Sequence, residues 1–330
     1  MTRSITLFNR TSPAKPTEVF ETYWRFAVER QNIFFKRLKT EDSGAWTADP
    51  IFGKYKFTNA YRASDRVSQY LIRNVIYEGD QSPVELFFRI MLFKFFNRIE
   101  TWELLKRTLT DVKYSEYSFK RYDKILTKAR SQGEKIYSAA YIMPSGSSSF
   151  GFQYKHRNHL KLLELMMDDE LSLQMKDTKS MKQAFELLRS YPTIGDFLAY
   201  QYVTDLNYST LLNFTEMEFV VPGPGSLNGL RKCFSSFGGY TEANLIRLVT
   251  EQQEELLAKY KLSFKSLWGR PLQLIDCQNL FCEVDKYSRV AHPSIKGNSE
   301  RVRIKQNYRQ NPKPINYWYP PKWQINEKIA

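Results

Sequence analysis

The sequence predicts an all-α chain folded as two helical lobes, and three observations carry that prediction. Apolar residues recur at steps of three and four through most of the 330 residues, the spacing that lays one face of a helix on a core. No alternating run long enough for a convincing strand interrupts them, and there is no internal repeat. The Ser/Gly-rich stretch Ser145–Gly151 is the best flexible connection between lobes, placing the join near 144–151.

Residues 1–16 read as an irregular arm closed by Pro13 and Pro16, and residues 17–300 as the helical domain. Thr17 stands as a helix N-cap ahead of Glu18 and Glu21. In the basic helix that follows, Phe20, Tyr23, Trp24, Ala27, Ile33, Phe34 and Leu38 fall on the apolar stripe. Gly44, Pro50 and Gly53 make 41–56 a loop. A second helix is expected from a Thr58 or Asn59 cap to Asn74, and Pro83 opens a central buried helix through Phe96. Helices are further expected within 101–135 and at about 157–173, 178–190, 193–208 and 241–260. The tail 301–330 carries Arg301, Arg303, Lys305, Arg309, Lys313, Lys322 and Lys328 against Glu327 alone. Its prolines forbid a continuous helix, and its Tyr and Trp side chains suit either base stacking or pinning the arm to the body.

Charge bounds the partner. Lys plus Arg number 49 against 35 acidic residues, a net +14 that favours a polyanion. No apolar run approaches the roughly 18 residues that span a bilayer, and the N-terminus lacks an apolar signal core. Nucleic acid is therefore expected rather than membrane, in the cytoplasm. Three cysteines, Cys233, Cys277 and Cys282, without paired spacing suggest a reducing compartment and no structural metal. His156 and His159 lack a carboxylate or thiol at ligand spacing before Glu164, so they are expected on a solvated or phosphate-facing surface beside Lys155 and Arg157.

Two segments carry chemistry. In Phe219–Phe234, Gly223 and Gly225 permit positive φ or close backbone approach, Pro222 and Pro224 set turn dihedrals, and a helix opening near Ser226 offers free amides. Arg231 and Lys232 follow, so Gly223, Gly225, Ser226, Arg231 and Lys232 are the expected DNA-phosphate contacts. The apolar-Pro-Gly-x-Gly form resembles the helix-hairpin-helix of the all-α DNA glycosylases, in which a catalytic aspartate lies downstream; Asp276 and Asp285 are the candidates here.

The second segment is a helix beginning after Leu274. It would place Asp276, Asn279, Glu283 and Lys286 or Tyr287 on one face. A carboxylate there, Asp276, Glu283 or Asp285, can take a proton or stabilise developing positive charge, while Lys286 and Arg289 suit phosphate. Gln278 and Asn279 need partners if buried. Salt bridges on a solvated face, such as Glu283 to Lys286, are the plainer alternative. A second cluster, Asn59, Tyr61, Arg62, Asp65 and Arg66, has the same character, with Arg62 and Arg66 one turn apart as a phosphate clamp and Asp65 orienting one of them.

Together, Phe57–Arg66, Val221–Gly225 and Leu272–Val290 resemble the α-glutamyl/putrescinyl-thymine pyrophosphorylases, which are related to the helical domain of 5-hydroxymethyluracil DNA kinases. The resemblance covers roughly residues 20 to 310. It implies a bacteriophage-type hypermodification of thymine in double-stranded DNA within the host cytoplasm, in which the amine of an amino acid or polyamine displaces pyrophosphate from pyrophosphorylated 5-hydroxymethyluracil. Arg62, Arg66 and Arg289 would hold the departing pyrophosphate, and Asp276 or Glu283 would deprotonate the ammonium. No cofactor is expected. No G-x-x-x-x-G-K-[ST] occurs in the sequence, so coupling to a separate 5-hydroxymethyluracil DNA kinase is expected. Two other readings stand beside the transferase: a glycosylase-like base-processing enzyme using Asp276 or Asp285, and a non-catalytic DNA-binding partner of such a kinase.

Overall fold

The computed structural model describes residues 12–40, 44, 46–299, 301–310 and 315–329. Most of the arm expected at 1–16 lies outside them. Helices dominate, and the one sheet among the described residues pairs β1 (Lys15–Pro16) antiparallel with β2 (Phe234–Ser236). No helix among them is long and apolar enough to cross a membrane. The described residues divide into two compact units, those within 1–60, 222–266 and 271–312 in the first, and those within 61–221, 267–270 and 313–330 in the second. The connection expected at 144–151 lies instead inside the second unit. There Asn158 donates to Ser145 O and Phe152 O, both at 2.9 Å, and Gly146 turns the backbone at φ +70°.

In the first unit, α1 (Glu18–Lys39) starts where Thr17 Oγ1 accepts the Val19 amide at 3.2 Å, and α2 (Pro50–Lys54) starts on Asp49. The chain then enters the second unit. The helix expected from Thr58 to Asn74 is not continuous: a 3-10 turn at Arg62–Ser64 ends on Asp65, whose extended backbone (ψ 145°) resets the chain before α3 (Arg66–Leu71) and a π turn at Ile72–Ile76. Next come α4 (Pro83–Phe96), α5 (Ile99–Leu109), α6 (Phe119–Ser131), the short α7 (Ser147–Phe150), α8 (Lys155–Asp168), α9 (Leu171–Asp177), α10 (Met181–Arg189) and α11 (Asp196–Leu206). Helix α4 is central and almost wholly buried, so each of its charges needs a partner. Glu85 accepts the amides of Tyr114 and Ser115, Arg89 donates to Val75 O and Asp80 O, and Lys94 meets Asp205.

The chain returns to the first unit for α12 (Pro224–Cys233), α13 (Glu242–Glu251), α14 (Gln253–Lys259) and α15 (Leu274–Ala291). The helix expected over 241–260 breaks at Gln252. Helices α12 and α15 pack backbone to backbone. A Cβ on Gly229 would fall 2.0 Å from Phe281 O, and one on Gly225 would fall 2.3 Å from Cys282 Sγ. Tyr23 of α1 packs its ring 4.4 Å from that of Phe281.

The tail divides as well. Residues 306–308 run antiparallel to 54–56, with Lys56 N donating to Gln306 O and Tyr308 N to Lys54 O. In the second unit, Tyr319 is fully buried with its hydroxyl 2.8 Å from Ser64 Oγ, and Lys322 Nζ donates to Ser209 O and Leu212 O. The Arg270 guanidinium lies 3.8 Å over Trp323. For 315–329, then, several of the aromatics pin the arm to the body.

Candidate functional site

Helix α15 carries the first unit's polar centre. Its start is fixed by a reciprocal capping box: Gln273 caps the helix, and Asp276 Oδ2 accepts the Gln273 amide at 3.0 Å. Asp276 is buried and holds the helix end. Gln278 is buried with no described residue bonding its Oε1, while Asn279 is half-buried.

Two turns on, Glu283 is buried and uses one oxygen twice. Its Oε2 accepts the Thr58 amide at 3.0 Å and pairs with Lys286 Nζ at 2.6 Å. No described residue hydrogen-bonds its Oε1. The Lys286 ammonium sits 5.3 Å from the Phe57 ring, and Arg30 Nε donates to Thr58 O at 2.8 Å. The peptide of Thr58 thus links a guanidinium on one side to a carboxylate on the other. Asn59 is buried beside it in sequence.

Asp285 faces the opposite side of α15 and is saturated. Lys232 Nζ lies 3.0 Å from its Oδ1, Arg289 pairs with its Oδ2, and Asn228 Nδ2 donates to it. Lys232 also reaches Ser288 Oγ, and Arg289 donates to Arg303 O. Lys232 and Asp285 are buried and Arg289 nearly so, which leaves two cations and one carboxylate inside the unit. Lys232 is therefore an internal cation of the α12–α15 contact, not a solvent-facing phosphate ligand. Arg231, by contrast, is exposed and pairs loosely with Glu242 at 3.4 Å.

The α12 start takes the shape the Pro/Gly spacing implies, with Gly223 as N-cap at φ −78° and Pro224 in the first turn. Of the two uses open to these glycines, Gly225 serves close approach, against Cys282. Ser226 is fully buried, with no described partner for its Oγ. The helix expected to precede this turn ends at Leu206 in the other unit, and the connection runs over 207–223.

The second unit does not form the expected Arg62–Arg66 clamp. Because the backbone resets at Asp65, the two side chains part: Arg62 is 1% exposed, whereas the Arg66 side chain is 51% exposed and only 4.0 Å from Glu100 at best. Asp65 is half-buried. Arg62 forks onto a carboxylate, not a phosphate, with NH1 2.6 Å and NH2 3.0 Å from the two oxygens of Asp205 and Nε 3.1 Å from Gln201 Oε1. Lys94 Nζ lies 3.0 Å from Asp205 Oδ2, 2.8 Å from Asn97 Oδ1 and 4.7 Å from the Tyr141 ring. Burial pushes Lys94 down to about 8 against the pull of Asp205. Burial also opposes the Asp205 carboxylate, yet Arg62 and Lys94 together hold it below its ordinary range. Sequence reasoning missed Lys94, Asp205, Gln201 and Tyr141. The available signal was a lone lysine in the apolar run of α4 and a lone aspartate near the end of α11.

The two helix histidines are buried, not surface-facing. His156 meets Asp123 at 2.9 Å and Thr127 at 3.1 Å, and His159 lies between Tyr137 OH and Pro144 O, both at 2.8 Å. Burial pushes His159 down to about 4, so it stays neutral.

The family model for the helical domain of 5-hmdU DNA kinase matches residues 17–297. A 5-hmdU DNA kinase of Bacillus phage SP10 is 25% identical over 295 residues, covering 84% of this chain and 46% of that protein. The chain thus spans under half the length of this relative. No solved structure matches it.

Proposed function

This chain belongs to the family of 5-hmdU DNA kinase helical domains, and we propose from that premise that it modifies 5-hydroxymethyluracil in DNA by displacing pyrophosphate with an amine. The observation that carries the catalytic reading is the Glu283 carboxylate. Asp276 is committed to the helix cap and Asp285 to two cations, whereas Glu283 keeps an oxygen without a partner among the described residues. In the proposed step the amine nitrogen of an amino acid or polyamine bonds to the exocyclic methylene carbon, and the carbon–oxygen bond to pyrophosphate breaks. Glu283 accepts the proton that the nitrogen sheds, and Lys286 meets the departing charge. Arg66 and Arg231, both exposed, serve phosphate contact, and Arg62 holds the second unit together instead. A glycosylase-like arrangement of the helices, with the α12 start against the DNA backbone and the base drawn out of the stack, belongs to the same reading.

The test incubates the protein with duplex DNA bearing pyrophosphorylated 5-hydroxymethyluracil and a pool of amines, then measures pyrophosphate and nucleoside mass. Amine-dependent pyrophosphate release, lost in Glu283→Gln, supports the transferase. The match to part of a kinase favours a second reading, a helical DNA-binding module working with a kinase domain. That reading holds if DNA binding is intact while no pyrophosphate, free base or new nucleoside appears.

A further inference from the structure

On the first unit, a cavity of about 320 Å³ opens beside Phe57 and is lined by Arg30, Arg37, Trp46, Tyr55, Phe57 and Tyr308, among others. Its walls come from α1, from the residues around α2 and from the antiparallel contact of 306–308 with 54–56. Aromatic rings supply five of its eleven lining residues. The Arg37 guanidinium lies 5.0 Å over the Trp46 ring, which fixes a cation at the rim. Arg30 is buried and anchored to Thr58 O. The Tyr308 hydroxyl is withdrawn from solvent and no described residue bonds it, although a buried hydroxyl requires a partner.

We propose that this cavity receives one pyrimidine nucleotide of the DNA strand, with its base among the aromatic rings, its phosphate toward Arg37, and a polar edge of the base on the Tyr308 hydroxyl. Three features select that class. The volume takes a single nucleotide unit and not a stacked pair. Aromatic faces suit a planar ring that has left its stack. Two guanidiniums repel the ammonium of a polyamine and attract a phosphate. The assignment rests on the base-modification reading and adds to it, because Thr58 joins cavity and carboxylate: its carbonyl faces Arg30 and its amide faces Glu283, while Lys286 lies over Phe57.

The experiment uses the full chain and 5-hydroxymethyl-2′-deoxyuridine 5′-monophosphate alone as the probe, with binding followed by quenching of tryptophan fluorescence. Trp46→Phe should remove the quench. Arg37→Ala should weaken binding roughly tenfold and Tyr308→Phe roughly fivefold, the losses expected for one charge-assisted and one neutral hydrogen bond. Tyr308→Phe deletes only an unbonded hydroxyl, so its fold is preserved, and circular dichroism checks the others. Wild-type affinity in folded Arg37→Ala and Tyr308→Phe, or no binding of the mononucleotide at millimolar concentration, overturns the assignment. Glu283→Gln separates the two readings. If it binds the probe normally and the wild type releases no pyrophosphate, the cavity stands and the transferase falls. If the cavity variants bind and turn over as wild type while Glu283→Gln is inactive, the cavity falls and the transferase stands.

Discussion

Lys232 Nζ lies 3.0 Å from the Asp285 carboxylate, with both side chains withdrawn from solvent and Arg289 on the other carboxylate oxygen. Removing the carboxylate charge would leave two cations facing each other at low dielectric. Asp285→Asn should therefore cost about 3 kcal/mol of stability, within the range seen when one partner of a buried pair is lost. Urea unfolding measures it. Adding Lys232→Met should restore part of the loss, and a double variant no better than the single one would refute the coupling.

The contact of α12 with α15 rests on Gly229, whose Cβ position is filled by the Phe281 carbonyl. A methyl group there cannot be absorbed by a side-chain rotation, because the opposing atom is backbone. Gly229→Ala should destabilise by about 3 kcal/mol, near the upper end for overpacking. A drop in thermal midpoint under a couple of degrees would mean that the two helices separate freely.

These two contacts show what could be read from the sequence and what could not. The start of α15 to within one residue (Leu274 is its first helical residue), the Glu283–Lys286 pair and the buried run of α4 follow from spacing, which local sequence encodes. The partner of a buried charge does not. Arg62 and Lys94 find Asp205 across long stretches of chain, and no helical period announces it. The Arg62–Arg66 clamp is absent for a local reason: it needs an unbroken helix through Asp65, where the backbone is extended. At Gly225 the Pro/Gly pattern left two uses open, and Cys282 decided between them.

The geometry of Asp276 makes a different forecast from that of Glu283. As the N3 member of a capping box it supports the start of α15. Asp276→Asn should cost about 1 kcal/mol, seen in denaturant unfolding, and leave pyrophosphate release within about twofold of wild type. Loss of turnover in a folded Asp276→Asn, with Glu283→Gln active, would exchange the two roles.

The tail makes a third kind of forecast. Tyr319 is fully buried and bonded to Ser64, so it belongs to the core of the second unit. Tyr319→Ala should cost about 3–4 kcal/mol, as for other large buried aromatics, and should speed protease cleavage near residue 315. Unchanged cleavage together with weakened DNA binding would instead mark the tail as a stacking arm.

Lys94 makes stability depend on pH. Burial lowers it to about 8 in the folded chain from an ordinary 10.5, so between those values the unfolded chain holds a proton that the folded one has released. Stability then rises with pH across that window, because the unfolded state binds more protons. Below pH 8 both states are protonated and the contribution of Lys94 is at its least favourable. Lys322, half-buried and donating to Ser209 O and Leu212 O, is also lowered to about 8 and adds the same slope. Lys94→Met should flatten the rise in unfolding free energy between pH 8 and 10 without abolishing it, and Lys94→Met with Lys322→Met should flatten it further. Chemical unfolding at pH 7, 8, 9 and 10 reads the slope, and a Lys94→Met slope equal to that of the wild type would show that the ammonium stays charged beside Asp205 throughout.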